Sequence, residues 1–228
     1  MTVTVSLAEQ LRPVQHVVLD FDGPVCSVFA GFPAPVVANR LASGLGNAPD
    51  NWLAEEDPMA LLRQVSAERP EATMAADELL ERLEVEAVGT AEPTPGAEAV
   101  IRACAASGRR VWMVSNNAPR AIEEYLAARD LRQEVSGVFG RPIGDPSLMK
   151  PNPHLLLEML AAASAEPTGC VFVGDAVTDV QAGLAASMPT IGYANKPGKD
   201  VALARAGATA VVDSMHVIAE ALTRSSCV

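Results

Sequence analysis

The sequence predicts an α/β fold, a Rossmann-like parallel sheet with helices on both faces, interrupted by a small all-helical insert after the first strand. Three observations carry this. From residue 94 onward, short apolar runs alternate with segments of 3.6-residue period. The apolar runs are continuous, as in strands buried on both faces. Several of them end in small polar or acidic residues, where an open parallel sheet presents its carboxyl edge.

The first strand lies in "HVVLDFDG" (16–23), where Val17, Val18 and Leu19 run into Asp20 and Asp22. Gly23-Pro24 stops it. Residues 27–93 then break the rhythm with no convincing strand. "PAPVVANRLASGLG" (33–46), "DPMALLRQVSAER" (57–69) and "TMAADELLERLEVEAVG" (73–89) have helical period. "TPGAEAVIRACAASG" (94–108) predicts a helix with Thr94 as N-cap and Gly108 as stop. Strand 109–116, helix 118–131, strand 137–142, helix 152–164, strand 170–175 and helix 176–187 follow. Strands 189–195 and 208–213 and a last helix complete the chain, and the tail "TRSSCV" is expected to fray. The expected division is a core of residues 1–26 and 93–228 with a helical unit, 27–92, inserted in it.

Composition narrows the function. The 228 residues suffice for one large domain or a core with a small insert. Apolar residues make up 49% and aromatics only 4%, so the packing must rely on Ala, Val and Leu. The net charge of −11 repels nucleic-acid backbones and anionic membrane surfaces, so neither is an expected partner. An anionic substrate must instead meet local positive charge or a metal. Lysine occurs at 150, 196 and 199 alone, so its placement is informative. Cys26, Cys104, Cys170 and Cys227 lack the close spacing of a zinc or redox site, which predicts reduced thiols. The start "MTVTVSLAEQLRPVQ" lacks a basic segment followed by an apolar run, and no apolar run approaches the ~18–20 residues of a membrane helix. A soluble, cytoplasmic protein is expected.

The polar residues at the strand ends form a set. The first strand ends at Asp20 and Asp22, the next at Ser115 with Asn116 and Asn117, and a later one at Asp175, with Asp179 one helical turn on. Lys150 sits in a loop before a helix. This set resembles the haloacid dehalogenase superfamily of hydrolases, in its phosphoglycolate phosphatase-like branch with a small helical cap. Asp20-Phe21-Asp22-Gly23 is similar to its first motif and Val114-Ser115-Asn116 to its second. Lys150-Pro151-Asn152-Pro153 is similar to its third, and Gly174-Asp175 with Asp179 to its fourth. An Asp-x-Asp alone is weak evidence; four motifs in order on the expected elements are strong.

The resemblance implies a Mg²⁺-dependent phosphatase acting on a small phosphomonoester. Asp20 is the candidate nucleophile, forming an aspartyl-phosphate, and Asp22 the acid and base. The resemblance implies metal ligation by the Asp20 carboxylate, the Asp22 carbonyl and Asp175, with Asp179 holding a metal water. It assigns phosphate contacts to the Phe21 and Asp22 amides, Ser115, Asn116 and Lys150, whose ammonium would meet the developing charge. An acid at the position of Asp22 favours phosphoryl transfer over carbon–halogen cleavage. Phe29, Phe32, Asn39 and Arg40 are the cap candidates for substrate contact, Arg40 for a carboxylate. A sugar-phosphate mutase, or a non-catalytic regulatory or assembly protein on the same fold, are the alternatives. Pro24 replaces the family's usual Thr or Val and is expected to stiffen the exit into the insert.

Overall fold

The computed structural model describes residues 6–225. A short helix, α1 (Leu7–Leu11), precedes the first strand, β1 (His16–Leu19). The chain then forms β2 (Cys26–Ser27), the helices α2 (Ala34–Gly44), α3 (Asp50–Leu53), α4 (Pro58–Glu68) and α5 (Thr73–Val88), and β3 (Glu92–Pro93). The alternating part follows: α6 (Ala97–Ala106), β4 (Arg110–Val114), α7 (Pro119–Ala128), β5 (Val135–Phe139), α8 (His154–Ala163) and β6 (Cys170–Gly174). It ends with α9 (Val177–Ala185), β7 (Thr190–Tyr193), α10 (Lys199–Ala206), β8 (Ala210–Val212) and α11 (Met215–Ser225).

Among the described residues, six strands form one sheet in the order β5-β4-β1-β6-β7-β8, with every pairing parallel. The strand with both acids is thus central, flanked by β4 and β6. Side chains alternate between two apolar layers. Val17, Leu19, Val111, Met113, Val171 and Val173 face a core shared with α6, α7, α11 and the insert helices. Val18, Trp112, Val114 and Phe172 face α8 and α9 through Leu155, Met159 and Ala182. Both faces are covered, which is why the strands read as unbroken apolar runs.

The insert leaves and returns through a short antiparallel pair, with Cys26 opposite Pro93 and Ser27 opposite Glu92. This pair is invisible in the sequence, because two residues are too few to show a period. The same reason hides α1, α3 and, in part, α10. Val37 and Leu41 on α2, Leu61 and Val65 on α4, and Leu80 and Leu83 on α5 are buried and continuous with the core cluster.

Several expected boundaries move. Helix α6 begins at Ala97, not at the expected Thr94 cap, because the Thr94 hydroxyl donates to the Gly23 carbonyl at 2.6 Å. Strand β5 spans Val135–Phe139, earlier than expected, because Arg141 turns into a buried ion cluster. Thr223, Arg224 and Ser225 belong to α11, and Arg109 Nη2 donates to the Ser225 hydroxyl at 2.7 Å, so this part of the tail does not fray. Residues 226–228 of that tail and residues 1–5 lie outside the described residues. No helix of the described residues is long and apolar enough to cross a membrane.

Cys26, Cys104 and Cys170 are buried and unbridged. Burial pushes the Cys104 thiol up to about 12 and the Cys170 thiol up to about 11, and it raises Cys26 as well. Since the thiolate is the reactive form, all three should resist iodoacetamide at mildly alkaline pH in the folded protein and label fully in guanidinium, read by peptide mapping.

Candidate active site

The carboxyl ends of β1, β4 and β6 bring the motif residues together. Asp20, Asp22, Ser115, Asn116, Lys150, Asp175 and Asp179 line one cavity of about 320 Å³. Phe29, Asp57 and Met59 close it from the insert side.

Lys150 is the hub. It is 2% exposed, and its Nζ lies 2.9 Å from Asp20 Oδ1 and 2.7 Å from Asp179 Oδ1. Burial alone would depress the ammonium; Asp179 and Asp20 outweigh that and hold it above its ordinary value. Asp20 Oδ1 also accepts from the Phe21 amide at 2.7 Å. Burial foremost pushes the Asp20 carboxyl up to about 8, against the pull of Lys150, with Asp179 and Asp175 adding to the rise. Asp179 Oδ2 accepts from the amides of Asp175 and Ala176, both at 3.0 Å, at the start of α9. Both its oxygens are therefore engaged.

Asp22 sits beyond the strand end, its Oδ1 accepting from the Val28 amide at 2.9 Å. Burial foremost lifts its carboxyl to about 6, with the Val28 amide opposing and Asp175 reinforcing. Gly23 makes this geometry possible. Its φ is +105°, and a Cβ there would lie 2.4 Å from Asp175 Cγ, so the turn must be bare for the two acidic loops to meet. Pro24 is buried in the same turn, where the Val25 and Cys26 amides both donate to the Phe21 carbonyl.

The second-motif loop is held by its own side chains. Ser115 Oγ donates to Asn117 Oδ1 at 3.1 Å, and Asn116 Oδ1 accepts from the Lys150 amide at 2.8 Å. Behind it lies an ion cluster the sequence did not reveal. Arg141, fully buried, donates to Asp77 at 2.7 Å, to both oxygens of Glu84 at 3.1 Å and to the Asn116 carbonyl at 2.9 Å. Glu84 also accepts from Asn117 Nδ2 at 2.9 Å and from the Ala118 amide at 3.1 Å. Helix α5 of the insert thereby grips the loop that carries Ser115.

The cap candidates separate. Phe29 lines the cavity. Phe32 is packed beneath the Arg40 guanidinium, whose carbon lies 4.7 Å from the ring centroid. Arg40 pairs with Glu86 at 3.1 Å on an exposed face, and Asn39 is exposed; neither of them lines the cavity. Two residues not anticipated stand nearer the chemistry: Lys199 Nζ bonds Asp175 Oδ2, and Asn195 Nδ2 donates to the same oxygen at 2.9 Å. The rarity of lysine was the available signal for Lys199.

The donor set fits a hard divalent cation. One oxygen from each of Asp20, Asp175 and Asp179 lies within 4.8 Å of the others. Asn195 Oδ1, beside Asp175, is buried with no hydrogen-bond partner. Carboxylate oxygens crowded in this way are Mg²⁺-type ligands. A larger cavity, about 650 Å³, lies around Pro197 and Val217 and holds none of the motif acids.

The chain is similar to known proteins along most of its length. A family model described as haloacid dehalogenase-like hydrolase matches residues 14–187. A phosphoglycolate phosphatase of Xylella fastidiosa is 32% identical over 188 residues, covering 77% of this chain and 78% of its own length. The N-acetylmuramic acid 6-phosphate phosphatase of Pseudomonas aeruginosa is 25% identical over 224 residues, covering 94% and 97%. Among solved structures, a β-phosphoglucomutase from Clostridium difficile shares the fold with a TM-score of 0.69, at 18% identity, over 92% of this chain and 98% of that one.

Proposed function

The chain belongs to the haloacid dehalogenase-like hydrolases and is a phosphatase, and on that premise we propose that it hydrolyses a small phosphomonoester through an aspartyl-phosphate at Asp20. The observation that carries this is the buried Lys150 joining Asp20 to Asp179 in a cavity that also holds Asp22, Ser115 and Asp175.

The Asp20 carboxylate attacks phosphorus, and the bond from phosphorus to the leaving oxygen breaks. Asp22 gives that oxygen its proton. Asp22, now a carboxylate, takes a proton from water, whose oxygen displaces Asp20 from phosphorus and restores the enzyme. A carboxyl near 6 suits a group that must first give a proton and then accept one. Lys150 and the Ser115 hydroxyl hold the phosphoryl oxygens, and the Lys150 charge is in place before the reaction starts. Asp20, the Asp22 carbonyl and Asp175 would hold Mg²⁺, with Asp179 behind them. When bound, the ion supplies positive charge to the crowded carboxylates and to the phosphoryl oxygens.

We assign residues 27–92 the role of a cap over a core of 1–26 and 93–228, with Phe29 lining the cavity beside Asp22. The buried free thiols suit a reducing compartment such as the cytoplasm. Hydrolysis is favoured over mutase chemistry because the relatives in Xylella fastidiosa and Pseudomonas aeruginosa are phosphatases. Chelation tests the metal. EDTA should bring phosphate release from an ester panel to background, and excess Mg²⁺ should restore it. Turnover indifferent to EDTA would remove the metal from the scheme.

A further inference from the structure

The cavity at Asp22 continues past the catalytic acids. An adjoining space of about 400 Å³ shares Asp22, Phe29 and Asp175 with the first and is lined beyond them by Ser27, Asn195 and Lys196. The proton donor to the leaving oxygen thus borders both spaces, so the leaving group has two directions to extend.

Their electrostatics differ. The insert wall of the first cavity carries Glu56 and Asp57, both exposed carboxylates. The second carries the exposed ammonium of Lys196. The other cations near the site are engaged. Lys150 is held by Asp20 and Asp179, Lys199 by Asp175, and Arg141 by Asp77 and Glu84. Arg63 donates to the Lys150 carbonyl at 2.9 Å, and Arg40 faces Glu86. Lys196 has no side-chain partner among the described residues. In a chain of net charge −11, an anionic leaving group is repelled by the Glu56–Asp57 wall and drawn to the one cation left open.

We infer that Lys196 is a specificity-determining residue that binds an anionic group, such as a carboxylate, on the leaving alcohol. This rests on the proposed phosphatase reading, and it moves to Lys196 the role the sequence suggested for Arg40. The substrate class is a short phosphomonoester bearing a second negative charge a few atoms from phosphorus.

The test compares 2-phosphoglycolate with 2-hydroxyethyl phosphate, which match in length and differ in the carboxylate. In the wild type kcat/KM should favour the carboxylate ester. Lys196→Ala should lower that preference about tenfold, mostly through KM, as loss of a binding contact requires. Lys196→Glu should invert it, and Lys196→Arg should keep it. A preference unchanged in Lys196→Ala, or absent from the wild type, overturns the inference. Binding is read separately by calorimetry with the non-hydrolysable 3-phosphonopropionate and 3-hydroxypropylphosphonate. Lys196→Ala should erase the tighter binding of the first, and equal binding of both by the wild type overturns the inference. Should no ester be hydrolysed, the proposed function fails while this titration still decides the role of Lys196.

Discussion

Asp20→Asn is expected to lower phosphatase turnover by about 10⁴-fold or more, the scale of losing a covalent nucleophile, with the fold intact. The amide is the same size as the carboxylate, and its oxygen can still accept from the Phe21 amide and from Lys150. Lys150 keeps its 2.7 Å contact with Asp179. Burial, Asp179 and Asp175 all oppose a charge at this position, and the amide carries none at any pH, so thermal stability without metal should hold at neutrality and rise in alkali. Phosphate release and thermal denaturation measured on the same preparation separate the two effects. Turnover near the wild-type level would dismiss Asp20 as nucleophile.

Lys150→Met should damage both catalysis and stability. The ammonium is the positive partner of two buried carboxylates, and removing one member of such a pair costs about 3–5 kcal/mol. Turnover should fall by about 10²–10³-fold, as for one lost transition-state charge partner. The stability loss should depend on pH. A carboxyl whose folded pKa lies above its unfolded one contributes stability below the unfolded value and loses it as pH rises through the folded value. Asp20 stands at about 8 with Lys150 present, and the variant drives it higher. The unfolded value is about 4, so the variant should be closest to wild type in acid and furthest from it above neutrality. Urea denaturation in EDTA at pH 5 and pH 8 reads this; a deficit larger at pH 5 would contradict the assigned pairing.

The sequence showed the sheet because its strands are long, apolar and buried on both faces. It pointed to Asp20, Asp22, Ser115, Asp175 and Asp179 because each stands at or just past a strand end or at a helix start, and to Lys150 because lysine is rare and its loop resembles the family's third motif. What it hid depends on partners far along the chain. Arg141, Asp77 and Glu84 each read as an ordinary solvated charge, and their burial follows from contacts 57 and 64 residues apart. Thr94 has the composition of a cap and serves a carbonyl 71 residues away. Asn195 lies in a polar loop and Lys199 at the start of α10, and their relation to Asp175 appears only when β7 is placed beside β6. Arg40, close to the first motif in sequence, is carried to an outer face by the turn of α2.

The grip of Arg141 on α5 also bears on how substrate enters. A seam closed by apolar side chains resists parting, since each square ångström wetted costs about 25 cal/mol. Here the seam beside the Ser115 loop is closed by Arg141, Asp77 and Glu84, groups that water rehydrates strongly. Parting exchanges salt bridges for hydration, and the two nearly balance. On the proposed role of residues 27–92 as a cap, this seam is an ionic latch, and because its groups are buried, salt should loosen it only once parting has begun.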